Sequence, residues 1–428
     1  MASLRRRLRS IALVDQLGPG LITGAADDDP SGIATYSQAG AQFGYGLLWT
    51  LLLTYPLMTA IQLVSAQIGR VTGCGLSTNM GRVLPKPVVT GLVALLFVAN
   101  TVNIGADLAA MGAAAQLVVG TGAHLFTFGF ALVSLGLQLF ISYRNYARLL
   151  KWLTLVLFAY VAVVLVVKLD WPAALHGLVW PAPNTFTTKA SLTTIVAIFG
   201  TTISPYLFFW QTAQEVEEVD RHRSAKPLID APRQAKSEMR RIRIDTFFGM
   251  AVSNIVALAI MMATAATLHA AGKTNIGTAA DAAKALEPIA GHFAFLLFAL
   301  GVLGAGLLSI PVLAGSAAYA VGEVRGWKCG LDHKPWEAVG FYSVLGAATL
   351  LGLGIDWSPL DPIKALFWSA VINGVIATPM MAAMMYVVSK RSEMGRFIAK
   401  PSLRVFGWLA TAVMALATIG FLASSFGG

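Results

Sequence analysis

Asp27-Asp28-Asp29-Pro30-Ser31-Gly32 lies in the middle of the first strongly apolar stretch of this chain. An acidic residue at the centre of a membrane helix costs about 2.5–3.5 kcal/mol on insertion scales, so three in succession imply a use. Pro30 removes a backbone donor and Gly32 permits positive φ, which predicts a helix break across 27–32. Unwound backbone beside carboxylates inside a helical bundle is suited to holding a cation. Asp29 is the leading candidate for direct or water-mediated contact, with helix capping as its structural alternative. Asp28 is a candidate for further coordination or for lining an outer vestibule, and Asp27 is a weaker one.

Thr201-Thr202-Ile203-Ser204-Pro205-Tyr206 predicts a second break inside a later apolar run. Pro205 blocks helix continuation and disfavours helical geometry at Ser204. Helix ends leave carbonyls unpaired, which makes the Ala26 and Thr201 oxygens candidate ion acceptors. The Thr202 and Ser204 hydroxyls are candidates too, although such groups also bond their own helix backbone. A simple proline kink is the alternative for either break alone; two at corresponding positions favour a binding site.

The elements carrying these motifs belong to an all-α integral membrane protein. Hydrophobic residues make up 56% and charged residues 12%, about half the usual charged share of a soluble domain. Apolar runs of about 20 residues, enough to cross the hydrocarbon core, recur throughout. About eleven are expected, near 15–41, 46–69, 88–119, 123–142, 146–168, 191–216, 245–271, 291–321, 337–355, 362–388 and 403–425. The two breaks fall in the first and sixth, five spans apart. That spacing suggests an inverted 5+5 repeat, about 11–168 and 191–388, followed by an extra helix near 403–425, all in one domain over 1–428. The basic N-terminus lacks a short apolar run with a cleavage site, and Cys74 and Cys329 lie too far apart for a cysteine-based metal motif.

Charge sets the expected orientation. Of the 31 Lys and Arg, 26 fall in the N-terminal arm and alternate connections, leaving Lys168, Lys189, Lys273, Lys284 and Lys364 on the other side. The N-terminus is therefore expected in the cytoplasm and the C-terminus outside. This asymmetry also accounts for the net charge of +10 without a nucleic-acid partner. The connection at about 215–243 mixes Glu215, Glu217, Glu218 and Asp220 with eight basic residues and reads as a solvated cytoplasmic loop, with a gate as the sharper alternative.

Together these residues resemble a known family. Gly18-Pro19-Gly20, the Asp29-Pro30-Ser31-Gly32 break and Gln38-Ala39-Gly40-Ala41-Gln42-Phe43-Gly44-Tyr45 are similar to the first-helix signature of Nramp divalent-metal transporters. Asp107-Leu108-Ala109 and Asn373-Gly374 resemble segments of their third and tenth spans. The resemblance implies a LeuT-like fold, a metal site between spans one and six, and alternating access; the transported ion is substrate rather than cofactor. It also shows departures. By motif, Gly32 stands where the family has an Asn ligand, Ser204 where it has Met, Tyr206 where it has His, and Ala370 where it has Gln. The arginines that the family places in its ninth span have no counterpart near 336–351.

Loss of a thioether removes the ligand that favours softer metals, while oxygen donors and water suit hard cations. A roomy oxygen-lined site fits Mg²⁺, which keeps several waters, so the pattern is similar to the Nramp-related magnesium branch, with Mn²⁺ also accepted. The classical proton-coupled Mn²⁺/Fe²⁺ transporter is the alternative. Tyrosine does not titrate near neutral pH, which favours uncoupled uptake. A divalent ion gains about 4.6 kcal/mol per 100 mV of inside-negative potential, so no second ion is required. Asp27, Asp28, Asp107 and Tyr206 remain candidates for an outer shell or proton relay.

Other classes fit less well. A channel would not need paired helix breaks, and an enzyme would need a catalytic motif that is absent from the sequence. An amino-acid carrier would not place three aspartates where a substrate carboxylate binds. Short termini suggest a prokaryotic plasma membrane, and the oligomeric state is open. The orientation predicts that alkaline phosphatase fused to the C-terminus is active in intact cells, whereas a cytoplasmic reporter at the same position is silent; the reverse pattern would invert the topology.

Overall fold

The computed structural model describes residues 23–24, 26–141, 155–183, 185–221, 224–358 and 361–426, and all regular structure among them is helical. The principal helices are α1 (Pro30–Phe43), α2 (Trp49–Thr72), α3 (Leu76–Val83), α4 (Lys86–Val119), α5 (Ala123–Phe140), α6 (Phe158–Val166) and α7 (Trp171–Val179). They continue as α8 (Lys189–Thr202), α9 (Pro205–Arg221), α10 (Ala235–Thr264), α11 (Ala294–Arg325), α12 (Val339–Leu353), α13 (Pro362–Val388) and α14 (Pro401–Phe426). Among the described residues, 9 helical stretches are long and apolar enough to cross a membrane. The first and fifth expected spans fall partly outside the described residues; α1 and the apolar helix Leu155–Val166 are their described parts.

Both expected breaks are present, with tighter boundaries. Residues 26–27 are helical, the regular helix is interrupted at Asp28 and Asp29, and Pro30 opens α1. Likewise α8 ends at Thr202, Ile203 and Ser204 form the interruption, and Pro205 opens α9. In both cases proline occupies the first helical position, where its missing N–H has no intrahelical partner to lose. Gly32 was expected to help break the helix through positive φ, but it lies inside α1 and is not among the positive-φ glycines. The proline-initiated helix already accommodates the interruption.

Helix α1 packs against α8, α10 and α13, while α4 packs most extensively on α11. Helix α9 lies against α2 and α11, and α14 covers α2, α8 and α13. The outward faces are apolar, including Leu125, Phe140, Leu165, Leu416 and Ile419, whereas Asp, Asn, Ser and Thr side chains cluster inside. That inversion of a soluble protein's pattern follows when lipid is the surrounding solvent. Trp171, Trp180, Trp327 and Trp357 near helix ends are exposed, as interfacial anchors are.

The 215–243 segment corrects the solvated-loop expectation at its two ends only: residues 224–231 are irregular and largely exposed, and Lys226, Arg233, Lys236, Arg240 and Arg243 face outward. Its acidic residues extend α9, and Glu215 is fully buried against Arg241, with an Nη2–Oε2 distance of 2.5 Å. Arg241 also pairs with Glu238 at 3.1 Å, and Glu238 with the buried Arg70 at 3.3 Å. Charges that would be costly alone are thus paired across the ends of α2, α9 and α10.

The α8–α13 crossing depends on small residues. A Cβ on Gly200 would lie 2.0 Å from the Ala370 carbonyl oxygen and 2.4 Å from Gly374 N. The carbonyl at position 370 is therefore part of a backbone-to-backbone contact. Gly200→Ala should destabilise the detergent-purified protein by about 1–3 kcal/mol through overpacking, while Gly346→Ala, with open space around it, should be close to neutral in the same thermal-unfolding assay.

Candidate metal site

Asp29 is the N-cap of α1. Its Oδ1 accepts hydrogen bonds from Gly32 N at 2.8 Å and Ser31 Oγ at 2.6 Å. The capping role and the candidate ion-binding role therefore meet in one carboxylate, because the helix start also favours negative charge. Its Oδ2 accepts from Asn103 Nδ2 on α4 at 3.1 Å and lies 3.4 Å from the Tyr206 hydroxyl on α9. Asn103 Oδ1 in turn accepts from Ser369 Oγ on α13 at 2.7 Å. One acidic side chain thereby joins three helices around the break.

The two interruptions face each other through Tyr206, whose hydroxyl donates to the Ala26 carbonyl at 3.1 Å. A hydroxyl has one proton, so the shorter carbonyl contact is the better use of it. At the second break, Ser204 Oγ lies 2.8 Å from both the Thr201 and Gly200 carbonyls, and Thr202 Oγ1 donates to the Ile198 carbonyl. Both hydroxyls that were candidate ion ligands are thus turned back onto their own helix, where they satisfy carbonyls near its end. Gly32 borders this region: an added Cβ would lie 3.2 Å from Thr201 Oγ1 and 3.3 Å from Tyr36 Cε2. The missing side chain leaves room for the Thr201 side chain, and no amide reaches toward the break from that position.

The other acids occupy different surroundings. Asp107 is buried on α4 and accepts from Ser309 Oγ on α11 at 2.9 Å, while among the described residues its Oδ1 has no hydrogen-bond partner. Asp27 and Asp28 point to α10, where Ser253 Oγ lies 2.6 Å from Asp27 Oδ2 and 3.0 Å from Asp28 Oδ1. Among the described residues, no group of three or more His, Cys, Asp or Glu side chains is arranged to hold a metal. The arrangement instead offers carboxylate, carbonyl and hydroxyl oxygens, a hard-cation donor set without sulfur.

Sequence reasoning located both breaks but missed Asn103, Ser253, Ser309 and Ser369. Asn103 had a local signal, since it precedes Asp107 by one helical turn on the same face of an apolar helix. The serines had none: they resemble other small polar residues in membrane helices until neighbouring elements bring them to the acids.

Comparisons with known proteins converge on this architecture. The family described as Nramp, natural resistance-associated macrophage protein-like, matches residues 20–424. A protein named divalent metal cation transporter MntH from Klebsiella pneumoniae is 28% identical over 422 residues, covering 96% of this chain and 94% of the relative. The one from Yersinia pestis is 31% identical over 323 residues, covering 72% of each. A solved manganese transporter from Eremococcus coleocola superposes with TM-score 0.75 at 18% identity, covering 96% of this chain and 86% of that one. The nucleobase-cation-symport-1 transporter Mhp1 superposes more distantly, with TM-score 0.54 at 13% identity, covering 96% and 93%.

Tyr206→Phe should leave the Ala26 carbonyl without its donor at a cost of about 1–3 kcal/mol. Tyr206→His, by contrast, keeps a donor in the side chain and should recover part of that loss in thermal unfolding; equal stability of both variants and the parent would remove Tyr206 from the bridge between the breaks.

Proposed function

The chain belongs to the Nramp family, and from that membership we propose that it carries divalent metal ions across a membrane by alternating access. It is a multi-pass membrane transport protein and not an enzyme. The observation carrying the functional reading is the meeting of two proline-initiated breaks at Asp29, through the Tyr206 bridge to the Ala26 carbonyl. The ion takes Asp29 as its anchor, with the Ala26 and Thr201 carbonyls as partners. Access to it requires the Tyr206 and Ser204 hydroxyls to turn away from those carbonyls, which exchanges protein hydrogen bonds for ion contacts at little net polar cost. Thr202 and Ser204 then serve the ion or its waters, Gly32 leaves space for them, and Asp107 acts from the outer shell.

Eleven spans in an inverted 5+5 repeat, with cytoplasmic N-terminus and inner-membrane location, complete this reading. The matching break geometry supports the repeat, as does the packing: α1 on α10 is mirrored by α9 on α2. Opening at the basic end requires separation of the Arg70–Glu238–Arg241–Glu215 chain of ion pairs, a role that goes beyond a solvated loop.

Mn²⁺ is the cargo best supported, because relatives named above are divalent-metal or manganese transporters. None of those named is described as a magnesium carrier, so the magnesium-branch expectation has no support from them. The sulfur-free donor set nevertheless accommodates Mg²⁺ as well as Mn²⁺, and this keeps Mg²⁺ as the second reading. Uncoupled, potential-driven uptake is likewise proposed, since Tyr206 stands where the family pattern has histidine.

In proteoliposomes with an inside-negative potential, Mn²⁺ influx should saturate, and Asp29→Ala should reduce it on the order of 10–100-fold. Excess Mg²⁺ should compete if the second reading holds. A constant internal pH during influx supports uncoupled transport; acidification in step with Mn²⁺ would return the chain to the proton-coupled mechanism.

A further inference from the structure

Among the described residues, the three acids at the first break divide into two groups that share no hydrogen-bond partner. Asp29 turns to α4 and α9, and both its oxygens accept bonds. Asp27 and Asp28 turn to α10, where among the described residues their one side-chain partner is the Ser253 hydroxyl. Close backbone packing sets this second group. A Cβ on Gly24 would lie 2.4 Å from the Gly249 carbonyl oxygen, so the segment before the break lies directly on α10. Ser253 follows Gly249 by one turn on the same face, which seats its hydroxyl between the two carboxylates.

That hydroxyl has one proton and cannot donate to both carboxylates together. Asp27 is fully buried, and among the described residues its Oδ1 has no hydrogen-bond partner. Among the described residues, no Lys, Arg or His forms an ion pair with Asp27 or Asp28. Two adjacent carboxylates in a low-dielectric interior therefore lack the positive charge that makes such burial tenable. Their donors are all oxygen, come from two packed elements, and include an unused carboxylate oxygen. This is the chemistry of a hard divalent cation that retains part of its water shell.

We infer that Asp27, Asp28 and Ser253 form a second divalent-cation position, separate from the one at Asp29. The inference rests on the proposal that the first break is a divalent-metal passage. It assigns the two additional aspartates to the ion itself: one ion beside α10 compensates two negative charges, and Asp29 remains a distinct stop beside α4 and α9.

Purified full-length protein titrated with Mn²⁺, with free ion read by electron paramagnetic resonance, tests this. The parent should bind two Mn²⁺, and the double variant Asp27→Asn/Asp28→Asn should bind one. Asp29→Asn should also bind one, while Ser253→Ala should bind two, with one weakened about tenfold. A parent that binds one ion, retained in the double variant and lost in Asp29→Asn, would overturn the second position while leaving divalent-metal transport intact. A parent that binds none would overturn both. If the double variant does not purify as a folded protein, Ser253→Ala decides: unchanged affinity at both positions excludes the hydroxyl-bridged site.

Discussion

Placing a carboxylate and interrupted backbone inside hydrocarbon is the constraint on which this structure depends. Every polar group there needs a partner from the protein, because lipid supplies none. Asp29 meets that requirement by capping α1 and by accepting from Asn103, with the Tyr206 hydroxyl close by. The interruption is therefore stable only where α4, α9 and α13 converge on it. The same need explains why Ser204 and Thr202 fold back onto α8: the last carbonyls of a broken helix take whatever hydroxyl is within reach.

Close convergence requires bare backbone at the crossings. Gly200 and Gly374 let α8 meet α13, and Gly24 lets the segment before the first break meet α10. In lipid, where apolar side chains gain little by leaving their solvent, such contacts supply packing energy that hydrophobic burial supplies in water. At the basic end, ion pairs tie α2, α9 and α10. One end is thus held by charges that water can solvate once they part, and the centre by hydrogen bonds among side chains and carbonyls. Both are exchangeable interactions, which suits the alternating access proposed above.

Cargo choice follows a different logic from fold. Oxygen donors distinguish hard from soft ions, but carboxylate, carbonyl and water serve Mn²⁺ and Mg²⁺ alike. The absence of a thioether at Ser204 therefore narrows the chemistry less than it first suggests. Among the described residues, Asp27 Oδ1 and Asp107 Oδ1 have no hydrogen-bond partner, so these acids keep acceptor capacity that the surrounding helices do not use.

Composition and period alone determined that the chain is a helical membrane protein, since long apolar runs have no other stable use. Pro30 and Pro205 marked both breaks, each beside polar residues in an apolar run, since proline readily begins a helix; Pro56, Pro311 and Pro379 lie inside continuous helices, so proline by itself does not specify a break. The family was also legible, through Asp29-Pro30 and the glycine-rich flanks. Tertiary structure alone decided which oxygens are engaged. It turned the Ser204 hydroxyl onto the Gly200 and Thr201 carbonyls, gave Asp29 to Asn103, and placed Ser253 between Asp27 and Asp28. It also made the two ends of the charged 215–243 segment helical and paired, leaving an exposed connection at 224–231. These contacts join residues far apart in the chain, and a hydroxyl or amide has no local periodicity that announces its partner.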